Sequence, residues 1–490
     1  MGSRRVWFLL VCVIGLAAAG GQDRSDLPNV LIVLADDLGY GDLGCYGNEV
    51  VRTPHLDGFA AEGMRFTDCY AAAANCSPAR TGLMTGRTPY RVGIFSAIPF
   101  MSPMHVGSGE VTIATLLAGA GYETCHVGKW HLNGLFNLPG QPQPDDHGFG
   151  HWFSTQNNAL PNHRNPYNFV RNGIPVGPLE GYAADLVVAE AAEWLRDKRD
   201  ESRPFFMYVC FHEPHEPIAT AERYEAMYEA FEDPSQRAHH GNITQMDAAF
   251  GRLMGVVDEL GLREDTLVFF TSDNGPALTR YHPYGSAGSL RAKKGHVYEG
   301  GIRVPGIVRW PGRVAPGAVS EEAISGVDLL PTLCAVAGVA VPEDRALDGA
   351  DIVPVLEGRA LERATPLYWH FNLATSDVKV AMREGDWKLC ARLDREAAKA
   401  GGGLTAEQMS VLKEAELTGF ELYHLRRDAG ETEDLSKVEP ERFAAMKAKL
   451  EERYREVRDE APVWPEWEPV RYEAGRIEWP GYEALISPPR

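Results

Sequence analysis

Runs of apolar residues alternate with amphipathic stretches between about residue 28 and residue 340. Three of these runs are continuously apolar, which is typical of central strands covered on both faces of a sheet. They lie at 29–34, 205–211 and 266–271, and a shorter run lies at 122–127. One amphipathic stretch covers roughly residues 182–199, and another precedes the third run and ends at Gly261. The alternation predicts an α/β domain over residues 28–364, with a large, mixed, mostly parallel sheet flanked by helices.

The pattern changes after about residue 365. Four short strand-like pieces follow, at 367–371, 378–383, 387–393 and 420–425, and they are succeeded by one amphipathic helix. The last residues are rich in Pro, Trp and Tyr. We therefore expect a smaller C-terminal antiparallel α+β subdomain over residues 365–490. It would comprise a four-stranded sheet, a covering helix and a tail that wraps over the body of the protein.

The N-terminus has the pattern of a signal peptide over residues 1–19. Arg4 and Arg5 precede an apolar run, and a small-residue cleavage site, Ala17-Ala18-Ala19, follows it. No later stretch is apolar enough to span a bilayer. These features predict export to the periplasm or the extracellular space. The arginine pair leaves both the Sec and the twin-arginine route open.

Composition and charge narrow the possible ligands. The 490 residues carry 48 Lys and Arg against 68 Asp and Glu, a formal net charge of −20. A chain this acidic is not expected to bind nucleic acid through its overall field, so an anionic ligand requires a local basic pocket. Seven cysteines follow the signal peptide, and none forms a CxxC pair. A zinc ribbon or a thioredoxin-like site is therefore not expected.

Polar residues follow the predicted strands at their carboxyl ends, where open α/β sheets bind ligands. Asp36-Asp37 follow the first strand, Lys129 and His131 the second, His215 the third, and Asp273-Asn274 the fourth. Carboxylate and amide oxygens suit a hard cation. The sequence therefore predicts one Ca²⁺ or Mg²⁺ ion, with Ca²⁺ favoured, held by Asp36, Asp37, Asp273 and Asn274.

The segment Cys76-Ser77-Pro78-Ala79-Arg80 has the pattern of a helix start, with Ser77 as the capping residue and Pro78 in the first turn. Cys76 would then stand just before a helix N-terminus, which favours negative charge. Taken alone, this setting predicts a nucleophilic thiol with a low pKa.

The same segment resembles the signature of the formylglycine-dependent type I sulfatases, which belong to the alkaline phosphatase superfamily, and in particular their secreted bacterial glycan-active members. In that signature the Cys of C-x-P-x-R is oxidised to formylglycine. Further matches follow in chain order over about 28–460. They are Thr53-Pro54-His55-Leu56-Asp57, Gly128-Lys129-Trp130-His131, Pro214-His215, Ser272-Asp273-Asn274-Gly275, and Lys294-Gly295 with Glu299-Gly300-Gly301-Ile302-Arg303-Val304-Pro305. His55 stands where the family usually has Asn.

The resemblance implies hydrolysis of sulfate esters through a hydrated formylglycine at position 76, which also contacts the cation. It implies that Arg80 holds this nucleophile and that Lys129 and Lys294 bind sulfate oxygens. His131 would accept a proton from the diol, and His215 with Lys294 would protonate the leaving alcohol. It also implies a formylglycine-generating maturation enzyme as a partner.

The segment 155–181 is the candidate region for binding a sugar substrate. It is rich in Asn, with His163, Arg164 and several aromatic residues nearby. Amides and guanidinium groups can bind sugar hydroxyls, and aromatic faces can stack on pyranose rings. We expect His163 and Arg164 to contact substrate. Similarity to the family in this region suggests a galactose or N-acetylgalactosamine sulfate ester.

Two alternatives remain at this point. One is a formylglycine- or metal-dependent phosphodiesterase or phosphonate hydrolase on the same fold. Its usual two-zinc form is disfavoured because Asn274 stands where a histidine ligand of the second metal would be expected. The other is a non-catalytic glycan-binding relative, which is disfavoured because none of the expected site residues is lost.

Overall fold

The computed structural model describes residues 27–396, 404–468 and 475–482. The predicted signal peptide at 1–19 and parts of the predicted tail lie outside the described residues. The strands are β1 Asn29–Ala35, β2 Met64–Phe66, β3 Cys69–Tyr70, β4 Glu123–Lys129, β5 His151–Thr155, β6 Val170–Arg171, β7 Ile174–Pro175, β8 Phe205–Cys210, β9 Thr266–Ser272, β10 Gly306–Arg309, β11 Ala318–Ser320, β12 Ile324–Ser325, β13 Leu367–His370, β14 Val378–Glu384, β15 Trp387–Leu393 and β16 Leu417–His424. The α-helices are α1 Pro54–Glu62, α2 Cys76–Thr85, α3 Ile113–Gly119, α4 Ala183–Glu193, α5 Glu222–Glu225, α6 Pro234–Glu259, α7 Glu299–Ile302, α8 Leu329–Ala337, α9 Val353–Leu356, α10 Ala406–Glu414 and α11 Pro440–Glu460.

A ten-stranded sheet forms the centre of the molecule, in the order β11-β2-β10-β9-β1-β8-β4-β5-β6-β7. The five central strands β9, β1, β8, β4 and β5 are parallel, whereas β10 and β6 pair antiparallel with their inner neighbours. Alternate residues of β1 enter two different hydrophobic clusters, because successive side chains of a strand point to opposite faces. Both faces of the sheet are therefore covered, as the continuous apolar runs predict.

A separate four-stranded antiparallel sheet, in the order β13-β14-β15-β16, follows in the C-terminal part of the chain. Helix α11 packs against β15 and β16. The predicted fold class, a large mostly parallel sheet with a smaller antiparallel α+β unit, is confirmed. Among the described tail residues, Trp464 donates a hydrogen bond to the Gly93 carbonyl and Trp467 pairs with Leu404.

Three elements differ from the sequence-based expectation. Helix α6 begins at Pro234, well before the apolar stripe, because the Asp233 side chain caps it by accepting from the Ser235 amide. Helix α10 follows a Gly/Ala-rich stretch and was not predicted, although Thr405 and Gln408 form a capping box at its start. The segment 155–181 contains the short edge strands β6 and β7, so it extends the sheet as well as forming a loop.

No helix in the described part of the chain is long and apolar enough to cross a membrane.

Candidate active site

The carboxyl ends of β1, β4, β8 and β9 meet at one edge of the sheet, beside the start of helix α2. Parallel register places Ala35 of β1 opposite Ser272 of β9, so Asp36-Asp37 and Asp273-Asn274 leave the sheet side by side. The Asp273 carboxylate accepts a hydrogen bond from the Asp37 amide at 3.2 Å. The predicted convergence of these residues is therefore present in the structure.

Cys76 is the first residue of α2, and this corrects the expected helix start. The cap is Asn75, whose side-chain oxygen accepts a hydrogen bond from the Cys76 amide at 2.9 Å. The Ser77 hydroxyl accepts a hydrogen bond from the Ile98 amide instead. An Asn directly before the Cys was the available sequence signal, since Asn is among the best capping residues.

The interpretation of Cys76 as a low-pKa thiol is wrong. The side chain is buried, and burial raises the pKa of the thiol. The nearby cations Lys129 and Lys294 offset this effect only in part. A buried thiol in this state is a poor nucleophile, because the thiolate is the reactive form.

Three cations pair with three carboxylates around Cys76. The Lys129 ammonium donates to Asp36 at 2.6 Å, and the Lys294 ammonium donates to Asp37 at 2.5 Å. The Arg80 guanidinium donates to Asp273 through Nε at 3.0 Å and Nη2 at 2.8 Å. Its Nη1 donates to the backbone carbonyl of Lys129 at 2.9 Å, which ties α2 to the end of β4.

The pKa of the Asp36 carboxyl reflects two opposing effects, burial and the nearby cations. Burial alone would raise the pKa of its carboxyl, but Lys129, His215 and Arg80 together hold it well below the ordinary value. Asp36 is therefore ionised in its buried setting. A buried carboxylate is stable only when it is paired in this way.

Two buried oxygen atoms of the cluster have no hydrogen-bond partner among the described residues. These are Oδ1 of Asp36 and Oδ1 of Asn274. Ligand atoms of Asp36, Cys76 and Asp273 lie within 4.8 Å of one another, and so do those of Asp36, Asp37 and His215. Unpartnered buried oxygens that converge in this way fit a bound cation, and their chemistry fits a hard one.

The two predicted histidines differ in burial and in their contacts. His131 is buried, its Nε2 atom lies 3.1 Å from the Ile98 carbonyl, and burial lowers its pKa well below the ordinary value. His215 lies with Nε2 3.7 Å from the Asp37 carboxylate. Both His131 and Asp37 adopt left-handed backbone conformations, which are uncommon for residues other than Gly and occur preferentially at functional sites.

The side chains of the site differ in their exposure to solvent. The side chains of His215 and Lys294 are 22 % and 18 % exposed. The side chains of Arg80, Lys129 and Asp36 are at most 1 % exposed. Of these residues, His215 and Lys294 are therefore the most accessible to a substrate group.

The structure separates the two predicted sugar contacts. Arg164 is exposed, whereas the His163 ring is 2 % exposed and lies 3.9 Å from the Glu213 carboxylate. Burial lowers the pKa of His163 to about 3. Direct contact between His163 and a sugar therefore has no support in this geometry.

The aromatic and amide side chains of the 155–181 region also differ from expectation. Trp152, Phe153 and Phe169 are buried in the core, so their faces cannot stack on a sugar. Asn168 bonds within the loop, to the Leu160 amide and the Asn158 carbonyl. The sequence pattern does not distinguish amide side chains that form hydrogen bonds within a loop from those that contact a ligand.

Comparison with known families gives the decisive observation. The family model described as "Sulfatase" matches residues 28–339, which is more than half of the chain. The chain belongs to the sulfatase family. A second family model, described as "N-sulphoglucosamine sulphohydrolase, C-terminal", matches residues 292–397. The protein is thus a sulfuric ester hydrolase of the alkaline phosphatase superfamily.

Relatives of this sulfatase extend the match over most of the chain. It is 37 % identical over 404 residues to arylsulfatase A of Bos taurus, covering 76 % of each chain. It is 34 % identical over 475 residues to N-acetylgalactosamine-6-sulfatase of Sus scrofa, covering 90 % of this chain and 88 % of that one. The solved structure of Ps i-CgsB in complex with k-i-k-neocarrahexaose superposes with a TM-score of 0.77 at 25 % identity, covering 95 % and 98 % of the two chains. Membership of this family favours sulfate ester hydrolysis over the phosphodiesterase and non-catalytic alternatives.

Proposed function

We propose that this sulfatase removes sulfate from sulfated carbohydrate, with a galactose or N-acetylgalactosamine sulfate ester as the preferred unit. The observation that carries the catalytic part is the convergence of three cations and three carboxylates around Cys76, in which Arg80 and Lys129 are buried and Lys294 is partly exposed. The names of the relatives support the sugar, since they include an N-acetylgalactosamine-6-sulfatase.

The nucleophile in this proposal is formylglycine, formed from Cys76 by a maturation enzyme. In its hydrated form the group offers two hydroxyls, one to attack sulfur and one to expel the sulfate afterwards. The buried, protonated thiol supports the idea that Cys76 is a precursor, because it is a poor nucleophile itself.

One Ca²⁺ ion is proposed to bind at Asp36, Asp37, Asp273, Asn274 and residue 76. The unpartnered Oδ1 atoms of Asp36 and Asn274 support this assignment, as does the absence of sulfur or nitrogen donors among the four side chains at the strand ends. When bound, such an ion stabilises negative charge on the sulfate and on the attacking group.

The other catalytic roles are assigned to side chains of the protein. Lys129 and Lys294 are proposed to neutralise sulfate oxygens in a site that excludes water. Arg80 orients residue 76, because it is fixed by Asp273 and by the Lys129 carbonyl. His131, which is buried, accepts the proton that is released when sulfate leaves residue 76.

Proton donation to the departing sugar oxygen is proposed for His215 with Lys294. These two side chains lie on the more exposed side, where the sugar must remain during the reaction. A sugar alkoxide is a poor leaving group, so a proton delivered at this point lowers the barrier.

Arg164 is the proposed sugar contact on the protein surface, whereas His163 is buried. The exposed guanidinium can bind hydroxyl, carboxylate or sulfate groups of a neighbouring sugar unit. The proposed export of the chain would place the enzyme where polymeric sulfated glycans occur.

The test is a sulfate-release screen with enzyme co-expressed with a formylglycine-generating enzyme. The panel contains defined sulfates of galactose, N-acetylgalactosamine and glucosamine, short oligosaccharides, and an aryl sulfate. We expect kcat/KM to be higher by about tenfold or more for the galacto-configured sugars. A binding site that hydrogen-bonds a sugar hydroxyl disfavours sugars in which that hydroxyl has a different orientation.

Arg164→Ala tests the sugar contact, with Arg196→Ala as the matched control, because Arg196 is exposed and pairs with Glu259. We expect only Arg164→Ala to raise KM for oligosaccharides. If the aryl sulfate is the best substrate and Arg164→Ala changes nothing, the protein is a general arylsulfatase and the sugar proposal is wrong.

A further inference from the structure

Lys294 lies in a loop that is fixed through its backbone. The Lys294 amide donates to the Pro276 carbonyl at 3.1 Å, and the Gly295 amide donates to the Ala74 carbonyl at 2.8 Å. The loop is closed at its base by a hydrogen bond from the Gly300 amide to the Arg291 carbonyl at 2.7 Å. The position of the Lys294 ammonium therefore depends on Arg291 and on the start of α7.

One residue of the C-terminal part, Glu431, contacts both of these points. Its carboxylate accepts a hydrogen bond from the Glu299 amide, the first residue of α7, at 2.6 Å. Its backbone carbonyl accepts a hydrogen bond from Arg291 Nη1 at 2.9 Å. Glu431 therefore bridges the two ends of the segment that carries Lys294.

Glu431 is itself held rigidly. It is 1 % exposed and adopts a left-handed backbone conformation, with φ of 51°. The turn around it is fixed by Asp428, whose carboxylate accepts from the amides of Thr432 and Glu433 at 2.7 and 2.9 Å. Such a conformation in a residue other than Gly persists only where the surroundings enforce it.

A buried ammonium group pairs with both carboxylates of the bridge. The Lys388 side chain on β15 lies 2.9 Å from the Glu431 carboxylate and 2.9 Å from the Glu299 carboxylate, and the three side chains are inaccessible to solvent. Glu299 also accepts a hydrogen bond from the Tyr70 hydroxyl at 2.6 Å. Nothing in the proposed chemistry uses this group of charges, although it connects the small sheet to the catalytic loop.

We infer that Glu431 is a positioning residue for Lys294, through which the C-terminal four-stranded sheet sets the geometry of the sulfate site. This inference rests on the proposed role of Lys294 in binding sulfate. A shift of about 1 Å in a group that binds the reacting atoms can cost about a hundredfold in rate. Glu431 lies outside the catalytic centre, and its contacts with Arg291 and Glu299 connect it to that centre through the 291–299 segment.

The test uses Glu431→Gln in the full-length, calcium-loaded protein, with Glu433→Gln as the matched control. Glu433 lies in the same turn and is exposed. Two quantities are measured: kcat/KM for an aryl sulfate, and the affinity for inorganic sulfate by calorimetry. The second readout requires neither glycan recognition nor formylglycine, so a failure of the proposed function is distinguishable from a failure of this inference.

Glu431→Gln keeps an acceptor for the Glu299 amide but loses the ion pair with Lys388, which holds the side chain in place. We therefore expect Glu431→Gln to lower kcat/KM and sulfate affinity by about tenfold, and Glu433→Gln to leave both unchanged. In a Lys294→Ala background, Glu431→Gln should have less than about a twofold further effect, because coupled residues are not additive. In a Lys129→Ala background its full effect should remain, since Lys129 lies on β4.

Equal losses in the Lys294→Ala and Lys129→Ala backgrounds would show a general structural role and overturn the inference. So would unchanged sulfate affinity in Glu431→Gln. If Glu431→Gln does not fold, Arg291→Gln is used instead, because it removes the guanidinium group that donates to the Glu431 carbonyl and Arg291 is exposed. The same selective coupling to Lys294 is expected for this variant.

Discussion

At the scale of single residues, the site is a set of mutually dependent charges. Each of Lys129, Lys294 and Arg80 donates a hydrogen bond to a different carboxylate, so removing one cation also removes the hydrogen-bonded partner of a buried carboxylate. Such a loss is costly because a buried charge has no water to solvate it. Activity losses in these variants must therefore be measured alongside stability.

Cys76→Ala gives the cleanest test of the proposed nucleophile, because the one side-chain hydrogen bond that Cys76 makes within the described part of the chain is to the neighbouring Asn75. We expect turnover to fall by at least about 10³-fold, as for other lost nucleophiles, with an unchanged melting temperature. Mass spectrometry of the peptide containing residue 76 should show formylglycine in active wild-type enzyme. Fully active protein with an unmodified Cys76 would contradict the proposed nucleophile.

Asp273→Asn tests the cation. An Asn keeps an acceptor for Arg80, whereas an Ala would leave that guanidinium buried without its main partner. Elemental analysis should find one Ca²⁺ per wild-type chain and a substoichiometric amount in the variant, with activity reduced by about a hundredfold.

Asp42→Asn is the control for that substitution. Asp42 is also a buried aspartate near this edge, but its oxygens accept from the Gly39 and Ser286 amides. We expect this variant to be less stable and to retain the metal. Two zinc ions per wild-type chain would refute the calcium assignment.

At the scale of elements, the close approach of β4 and β8 determines where Lys129 lies. Gly128 faces Cys210 across this pair, with φ of 102°, and a Cβ atom at Gly128 would lie 1.8 Å from the Cys210 carbonyl oxygen. No side chain fits there without separating the strands. The close spacing of β4 and β8 therefore requires a glycine before Lys129.

Gly128→Ala should therefore lower the free energy of unfolding by about 2 kcal/mol or more, through both the clash and the backbone conformation. Urea denaturation measures it. The control is Gly255→Ala in α6, where no atom lies within 4 Å of the added Cβ. That exposed helical position should gain about 0.5–1 kcal/mol. Equal stabilities of the two variants would rule out the steric explanation.

The elements that the sequence predicts well are those with strong periodicity. Strands β1, β8 and β9 lie within a residue of their expected ends, because fully buried strands have an unmistakable apolar run. The strand-end residues Asp36 and Asp273 could likewise be placed, since parallel strands share one edge. The positions of Asn75 and Glu431 could not, because each acts through contacts that hydrophobic patterning does not encode. His163 shows the same limit, since polarity alone does not reveal burial.

At the scale of the whole molecule, the net charge of −20 opposes the approach of any polyanion, whereas the site itself is rich in cations. Salt screens long-range repulsion more than it screens contacts in a buried pocket. We expect KM for a multiply sulfated oligosaccharide to fall as ionic strength rises from about 10 mM to about 150 mM. The KM for a singly charged aryl sulfate should change less.

Steady-state kinetics at constant pH measures this difference. If KM for the oligosaccharide rises with salt, attraction by the cations of the site outweighs repulsion by the net negative charge of the protein. That result would contradict the expectation.

The greater exposure of His215 and Lys294 has a consequence for the order of events after bond cleavage. In the proposed mechanism the sugar alcohol lies on this exposed side and the sulfate lies deeper, so the alcohol must diffuse away before sulfate can follow. Inorganic sulfate is then the last product to leave and occupies the form of the enzyme that the next substrate needs. Accumulated sulfate would therefore slow the enzyme by competition, and its rate in a closed compartment would depend on how quickly that ion is carried off.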